Sequence, residues 1–238
     1  MSPIGTLQEN SLHASLKDWY ARPGDQVEVL VEGYWVDILR EDLLIEIQTR
    51  NFSALKPKLP RLLGSHPVRL VYPIAQEKWI VRIANVEGSF RKSDTDANTV
   101  QISSRRKSPK HGKVIELFAE LVRIARLARQ SNFSFEVLLI QEEEVWQDDG
   151  MGSWRRKGVS VVDRRLVSVL KNVVFASPAD YLSLLPDRLS VEFTVHDLVK
   201  TAVIPRRLAG QMAYCLREMG VLEVAGKRGN ALVYRCGK

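Results

Sequence analysis

The chain has 238 residues and a formal net charge of +7 at pH 7. Hydrophobic residues make up 45% of it and charged residues 26%, which is typical of a globular protein and excludes collagen-like and wholly disordered chains. No apolar run is long enough to cross a membrane and no signal-peptide pattern is present, so we expect a cytoplasmic protein without a membrane partner. The positive charge favours a polyanionic partner.

The first predicted helix runs from about Leu7 to Tyr20, and the sequence Arg22-Pro23-Gly24 ends it. Glu9 lies at the edge of its apolar stripe, so the carboxylate can point inward beside the following strands. Thr6-x-x-Glu9 is also a capping box, in which Glu9 would only accept a hydrogen bond from a backbone amide. Both roles of Glu9 stay open.

Three short strands separated by two tight turns follow the helix, and their alternating apolar residues predict one buried face. Turns at Glu32-Gly33 and Glu41-Asp42 fix the register. In that register Glu28, Asp37 and Glu46 project together from the opposite face. Like charges directly opposite one another destabilise a sheet, so this carboxylate cluster requires a compensating partner, and a divalent cation is the simplest one.

The alternative for Asp37 and Glu46 is two carboxylates on a solvated sheet face. Leu30, Trp35 and Leu44 share that face, however, and predict that it is partly covered. Buried carboxylates without partners are costly. The sequence therefore favours a Mg²⁺ or Mn²⁺ site over a solvated face.

Asp37, followed by Glu46-Ile47-Gln48 on the next strand, resembles the D…(D/E)xK signature of the PD-(D/E)XK nuclease superfamily in its variant with Gln in place of Lys. The element order is similar too, with a helix carrying Glu9, three strands, the segment Phe52–Gly64 and the strand Val68–Tyr72. The resemblance covers roughly the first third of the chain. It implies an α/β (α+β) fold with a restriction-endonuclease-like mixed sheet flanked by helices. It also implies hydrolysis of phosphodiester bonds, with Asp37, Glu46 and Glu9 holding Mg²⁺ and Gln48 orienting the attacking water.

The segment Phe52–Gly64 is predicted to be a kinked or late-starting helix, because Pro57 and Pro60 interrupt its apolar spacing. Its basic side chains can approach phosphate near the site, although a solvated face is their commoner fate; they are Lys56, Lys58 and Arg61. Val68–Tyr72 and Trp79–Ile83 are predicted to be two separate strands.

Residues 85–104 have the composition of a loop, and a segment dense in positive charge follows from Arg105 to Lys113. A helix over Val114–Arg129 is predicted next. The basic segment before it suits contacts with phosphate groups, through Arg105, Arg106, Lys107 and Lys110. A flexible basic loop is the other interpretation. The run Glu142–Glu144 is predicted to be part of a solvated hairpin and not a second metal site.

The C-terminal part resembles a winged-helix module. Thr194-x-x-Asp197 caps one helix, Pro205 and Gly220 bound the next, and two strands flank a basic tip. The resemblance implies contacts with DNA from the second helix and the wing, through Arg206, Arg207, Gln211, Lys227 and Arg228. Protein–protein contact or dimerisation is the alternative role of such modules.

We therefore predict three parts: a nuclease-like core over residues 1–84, an α+β extension over 85–186 and a winged helix-turn-helix domain over 187–238. The leading hypothesis is a metal-dependent DNA endonuclease whose winged helix holds the duplex, with a homodimer supplying two sites for symmetric cleavage. The second hypothesis is a nuclease-like DNA-binding regulator or scaffold that does not cleave. An RNA or branched-DNA nuclease is a third, because one fold hosts many substrates.

Overall fold

The computed structural model describes residues 11–83 and 102–237. Glu9 and most of the predicted loop 85–104 lie outside these ranges. The described chain forms two compact units. The first contains residues 11–19, 75–83, 102–112 and 139–171, and the second contains residues 20–74, 113–138 and 172–237. The three consecutive parts inferred from the sequence stay a prediction.

Helix α1 (Ser11–Tyr20) is followed by three antiparallel strands, β1 (Gln26–Val31), β2 (Tyr34–Arg40) and β3 (Leu43–Ile47). The predicted register is confirmed, since Val31 pairs with Tyr34 and Arg40 pairs with Leu43. Positive φ angles at Glu32 (48°) and Gly33 (83°) close the first hairpin, as its two-residue turn requires. The apolar face of β2 and β3 is buried as predicted and comprises Val36, Ile38, Ile45 and Ile47.

Strand β1 ends the sheet on one side, and its backbone is irregular at Glu28. Glu28 has a left-handed φ of 55°, and the regular pairing with β2 is found on either side of it, at Val27 and Val29. Val27 is half-exposed, as an edge position allows. The expected apolar face is therefore buried on β2 and β3 and only partly covered on β1.

The 3₁₀ helix Phe52–Leu55 and the short helix α2 (Leu59–Leu62) lead into strand β4 (Val68–Ile83), which runs parallel to β3. The predicted interruption by prolines is confirmed, but the prediction of two strands after it was wrong. Proline has no N–H to donate to a sheet ladder, yet Pro73 lies inside β4. Pro73 lies between the stretch that pairs with β3, which ends at Val71, and the stretch that pairs with β5 (Ile102–Lys107) from Trp79 onward.

Strands β6 (Phe133–Asp148) and β7 (Val159–Phe175) complete the large sheet, whose order is β1-β2-β3-β4-β6-β7 with β5 on β4. Side-chain hydrogen bonds show that β6 runs parallel to β4, because partner numbers rise together from Arg69–Ser134 to Glu77–Gln141. The numbers run in opposite directions from Glu136–Asn172 to Gln141–Ser168, so β7 is antiparallel to β6. The predicted α+β class, with a mixed sheet flanked by helices, is confirmed.

The single helix predicted over Val114–Arg129 was wrong. The chain forms a 3₁₀ helix (Val114–Leu117), the four-residue helix α3 (Phe118–Leu121) and a second 3₁₀ helix (Ala125–Arg129). Ile124 leaves the helical region at φ −134° and ψ 19°. Helices this short draw their stability from packing, and the buried side chains of the segment include Phe118, Leu121 and Ala125.

The C-terminal segment begins with a 3₁₀ helix (Pro178–Leu184) and continues as β8 (Phe193–Thr194), α4 (Val195–Ala202), α5 (Arg206–Glu218), β9 (Leu222–Arg228) and β10 (Ala231–Cys236). The three strands form a separate sheet in the order β8-β10-β9. The predicted capping box is confirmed, since Thr194 Oγ1 accepts from the Asp197 amide and Asp197 Oδ2 accepts from the Thr194 amide at 2.9 Å. Gly220, with φ 82°, ends α5 as predicted.

Across the two described stretches, no helix has the length and apolar character needed to cross a membrane.

Candidate functional site

The regular pairing of β2 with β3 ends at the Ile38–Ile45 pair. One residue further along β2, Asp37 Oδ2 accepts a hydrogen bond of 2.7 Å from the backbone N–H of Ile47. A side-chain oxygen therefore replaces a β2 carbonyl as the acceptor, and the two strands part at this point. Continued by one residue, the register brings Asp37 opposite Glu46, so both carboxylates project from the same face.

Glu46 is buried, with a relative exposure of 7%, and its carboxylate is paired with an ammonium group. Lys58 Nζ lies 2.5 Å from Glu46 Oε2, and the same Nζ donates to the backbone carbonyl of Trp35. The Lys58 side chain is only 13% exposed. Lys58 starts helix α2 as its N-cap residue, so this helix delivers a cation to the carboxylate face.

Lys58 was not distinguished from Lys56 and Arg61 by its sequence, and all three were grouped as basic side chains of the segment Phe52–Gly64. Lys58 lies directly before Leu59, whose side chain is fully buried, and three residues after the buried Leu55. That position at the edge of the apolar stripe was the available signal, since a lysine there can lay its stem along the apolar surface.

Gln48 follows the end of β3 and is held by two hydrogen bonds. Its backbone N–H donates to the Val71 carbonyl at 2.9 Å, and its side-chain amide donates to the Arg50 carbonyl. These bonds fix the side chain close to its own backbone, two residues beyond Glu46. Its Oε1 atom is the group that can accept a hydrogen bond from a water molecule.

The predicted cover of this face is confirmed for Leu44, which is buried, and was wrong for Leu30 and Trp35. Leu30 is 58% exposed and Trp35 is 67% exposed. They pair across β1 and β2, where the sheet reaches its edge. The carboxylate face is therefore closed on the side of α2 and open on the side of β1, where a large ligand can approach.

The two carboxylates fit the hard-cation chemistry implied by the resemblance. Mg²⁺ is commonly held by one or two protein carboxylates together with water and substrate phosphate, and Asp37 with Glu46 supplies two. No cluster of three or more His, Cys, Asp or Glu that could hold a metal is found in residues 11–83 and 102–237. The arrangement fits a site that shares its ion with a substrate and not a closed cage of protein ligands.

A family model described as a domain of unknown function (DUF8091) matches residues 10–176. The chain belongs to this family. An uncharacterized protein of Treponema pallidum (strain Nichols) is 31% identical over 234 residues, which cover 98% of this chain and 87% of that relative. No solved structure matches the chain. Asp37, Glu46 and Lys58 lie inside the DUF8091 domain, whereas α4, α5, β9 and β10 follow it.

Part of the basic segment of the DUF8091 domain is a strand and not the flexible loop that was its alternative interpretation. Arg105, Arg106 and Lys107 belong to strand β5. Arg105 donates to Glu143 at 2.8 Å and lies 4.0 Å from the ring centre of Trp79. Lys107 pairs with Glu77 at 3.0 Å. The strand was not predicted, because its residues are mostly polar and lack an apolar alternation. Two of its cations, Arg105 and Lys107, have anionic partners within the protein.

The two remaining predicted cations of that segment, Arg106 and Lys110, are exposed. Lys110 lies beyond the end of β5, and its backbone N–H donates to Ser108 Oγ at 3.3 Å. Both side chains lie on the surface and form no ion pair with the residues that the structure describes. They keep their predicted role in phosphate contact as a hypothesis.

The prediction of a solvated hairpin at Glu142–Glu144 was wrong. Glu142 and Glu144 are 3% and 6% exposed, and both pair with Lys78 of β4, Glu142 at 2.8 Å. Burial alone would raise the pKa of Glu144, but the Lys78 ammonium and the Trp146 indole hold it below its usual range. This cluster satisfies its own charges, so we assign it a structural role.

Helix α5 of the C-terminal segment packs against α3, α4 and β9. Gln211, one of the predicted DNA contacts, donates to the Ala119 carbonyl at 3.3 Å and so faces the protein. Arg206 and Arg207 are exposed at the first turn of α5. At the tip of the β9–β10 hairpin, Lys227 and Arg228 are also exposed, and Arg228 lies 3.4 Å from Asp197. Four of the five predicted contacts therefore lie on the surface.

Proposed function

We propose that this protein is a Mg²⁺- or Mn²⁺-dependent DNA endonuclease that hydrolyses phosphodiester bonds. The observation that carries the proposal is the Asp37 and Glu46 pair. These carboxylates come from adjacent strands and share one face where the regular pairing of β2 with β3 ends. Glu46 is buried and needs a compensating cation, a place that the Lys58 ammonium takes here and that a divalent cation would share or take over in the enzyme.

In this proposal Asp37 and Glu46 would hold the cation, which when bound lowers the pKa of a water and neutralises negative charge on the phosphate. Asp37 is oriented by the Ile47 amide and Glu46 by the Lys58 ammonium. The ammonium of Lys58 stabilises the charge that develops on the attacked phosphate. Oε1 of Gln48 accepts a hydrogen bond from the attacking water and orients it.

The exposed Leu30 and Trp35 edge leaves this face accessible to a duplex, which a closed pocket would exclude. The C-terminal segment has the element order expected of a winged helix, and its exposed cations would grip the DNA backbone. Arg206 and Arg207 would contact phosphates from the start of α5, and Lys227 and Arg228 from the hairpin tip. Because α5 is packed on three sides, we assign it backbone contact and not base reading along its length.

One observation favours a second candidate function. The Lys58 ammonium already lies on Glu46, where the proposed cation would bind. An ammonium that permanently replaces the cation would give a nuclease-like protein that binds DNA without cleaving it. That protein would act as a regulator or scaffold.

The two candidates are separated by a cleavage panel with supercoiled, linear, single-stranded and branched DNA in the presence of Mn²⁺. The endonuclease predicts cleavage by the wild type and its loss in Asp37→Asn and in Glu46→Gln. Matched controls are Asp42→Asn and Glu41→Gln, which remove the same charges from the exposed β2–β3 turn and should leave cleavage unchanged. DNA binding without cleavage of any substrate would support the regulator instead.

A cytoplasmic location is part of the proposal. Both cysteines, Cys215 and Cys236, are free thiols, which is usual in a reducing compartment. Burial raises the pKa of Cys215 to about 12, so this thiol is protonated and unreactive at neutral pH.

A further inference from the structure

A groove of about 450 Å³ opens on the second unit, next to helix α2. Its rim carries three exposed cations, Lys56, Arg123 and Arg126. Its floor is apolar and includes Ile124 and Ala125, at the break between α3 and the second 3₁₀ helix. The volume lies within the range of about 300–1,000 Å³ found for small-ligand sites. A cationic rim over an apolar floor suits a ligand with an anionic part and a flat apolar part.

Tyr214 of helix α5 forms one wall of the groove and is 39% exposed. The Arg217 guanidinium lies 5.5 Å from its ring centre. Glu218 is the carboxylate beside these cations, at 2.7 Å from Arg126 and 3.3 Å from Arg217. Exposed ion pairs of this kind are weak, so Arg126 remains available to an incoming anion. The groove and its wall therefore carry four cations and the carboxylate Glu218; the cations are Lys56, Arg123, Arg126 and Arg217.

We propose that this groove binds one nucleotide of a nucleic acid strand. The base lies against Tyr214 and the apolar floor, and the adjoining phosphate contacts Arg123 and Arg126. An acidic peptide would use the same cations but has no flat group for the exposed ring. Stacking of a base on an aromatic side chain beside cations is the usual mode of single-strand binding. The inference rests on the proposed function, because it takes the strand to be the endonuclease substrate.

The position of the groove relates this nucleotide to the bond that would be cleaved. Lys56 and Lys58 flank Pro57 in the turn between the 3₁₀ helix and α2. Lys56 lines the groove, and Lys58 contacts Glu46. The groove and the proposed site of hydrolysis are therefore joined by one turn, along which a single strand would run.

The test is the binding of a fluorescently labelled oligothymidine to the full chain in EDTA, which prevents metal-dependent cleavage. The groove variant Arg123→Ala/Arg126→Ala is compared with Arg129→Ala/Arg188→Ala, which removes the same charge from exposed positions outside the groove. Losing two phosphate contacts should lower the slope of log affinity against log salt by about 1.4, and the control should keep the wild-type slope. Tyr214→Leu should weaken binding about fivefold or more at an unchanged slope.

The inference is overturned if both double variants change the slope equally, or if polyglutamate displaces the oligothymidine as well as unlabelled oligothymidine does. Thermal unfolding of each variant checks that it is folded. The two proposals fail in distinguishable ways. If the groove variants bind normally and the wild type cleaves plasmid, the groove proposal is refuted and the endonuclease proposal stands. If the groove variants lose binding as expected and no substrate is cleaved, the endonuclease proposal is refuted and binding in the groove stands.

Discussion

Replacing Lys58 by methionine tests whether an ammonium and a divalent cation share the Glu46 carboxylate. The change keeps the apolar stem and removes the charge that lies 2.5 Å from Glu46 Oε2. Removing one partner of a buried ion pair costs about 3–5 kcal/mol, and the 13% exposure of Lys58 places this pair near the lower end, at about 3 kcal/mol. For a chain of this size, that loss lowers the Tm by about 6–12 °C.

Differential scanning fluorimetry with and without Mg²⁺ measures the effect. A cation at one hundred times its Kd stabilises the folded state by about 2.7 kcal/mol, so Mg²⁺ should restore most of the loss in Lys58→Met. The wild type should gain less, because its ammonium competes for the same oxygen. Lys56→Met, two residues earlier in the turn before α2, is the matched control. Equal Mg²⁺ shifts in wild type and Lys58→Met, or a Lys58→Met protein as stable as the control, would refute the shared site.

Three further predictions concern other contacts. Asp37→Asn keeps an oxygen that accepts from the Ile47 amide, so its free energy of unfolding in urea should equal that of the wild type. Asp37→Ala should lower that free energy by about 1–3 kcal/mol. Equal stabilities of the two variants would contradict a contribution from this hydrogen bond. Lys78→Met should lower the free energy of unfolding by about 3 kcal/mol relative to Lys110→Met, because it removes the ammonium from two buried carboxylates; a difference near zero would argue against the cluster. The hydrogen bond from the Thr194 amide lowers the pKa of Asp197, so the stability that the ionised carboxylate adds should be fully present above about pH 4 and lost as the pH falls further. In urea denaturation, the free energy of unfolding of Asp197→Asn should lack this part of the pH dependence. The same pH profile in wild type and Asp197→Asn would contradict the contribution of Asp197.

The hairpins of β1, β2 and β3 and the helices of the C-terminal segment were predictable because local signals determine them. A two-residue turn fixes the pairing of Val31 with Tyr34, and the alternation of apolar residues then decides which side chains share a face. The capping box at Thr194 and the left-handed Gly220 likewise act within a few residues of the helix ends they define.

The features that the sequence did not reveal depend on partners far away in the chain. Glu142 and Glu144 are buried because Lys78 compensates them from a strand more than 60 residues earlier. Lys58 reaches Glu46 only because α2 crosses the carboxylate face. Single-sequence patterns report burial and periodicity but not which distant charges meet, so the pair at the centre of the candidate site was half predicted. Its carboxylate was found and its ammonium was not.

The irregular backbone of β1 at Glu28 has a consequence for self-association. An edge strand offers unpaired amides and carbonyls that a second molecule can use to extend the sheet. The left-handed φ of 55° at Glu28 interrupts the straight row of hydrogen-bonding groups in the middle of this strand, and it does so at a charged residue. We therefore expect strand addition at this edge to be disfavoured, and we expect the homodimer predicted from the sequence to use another surface.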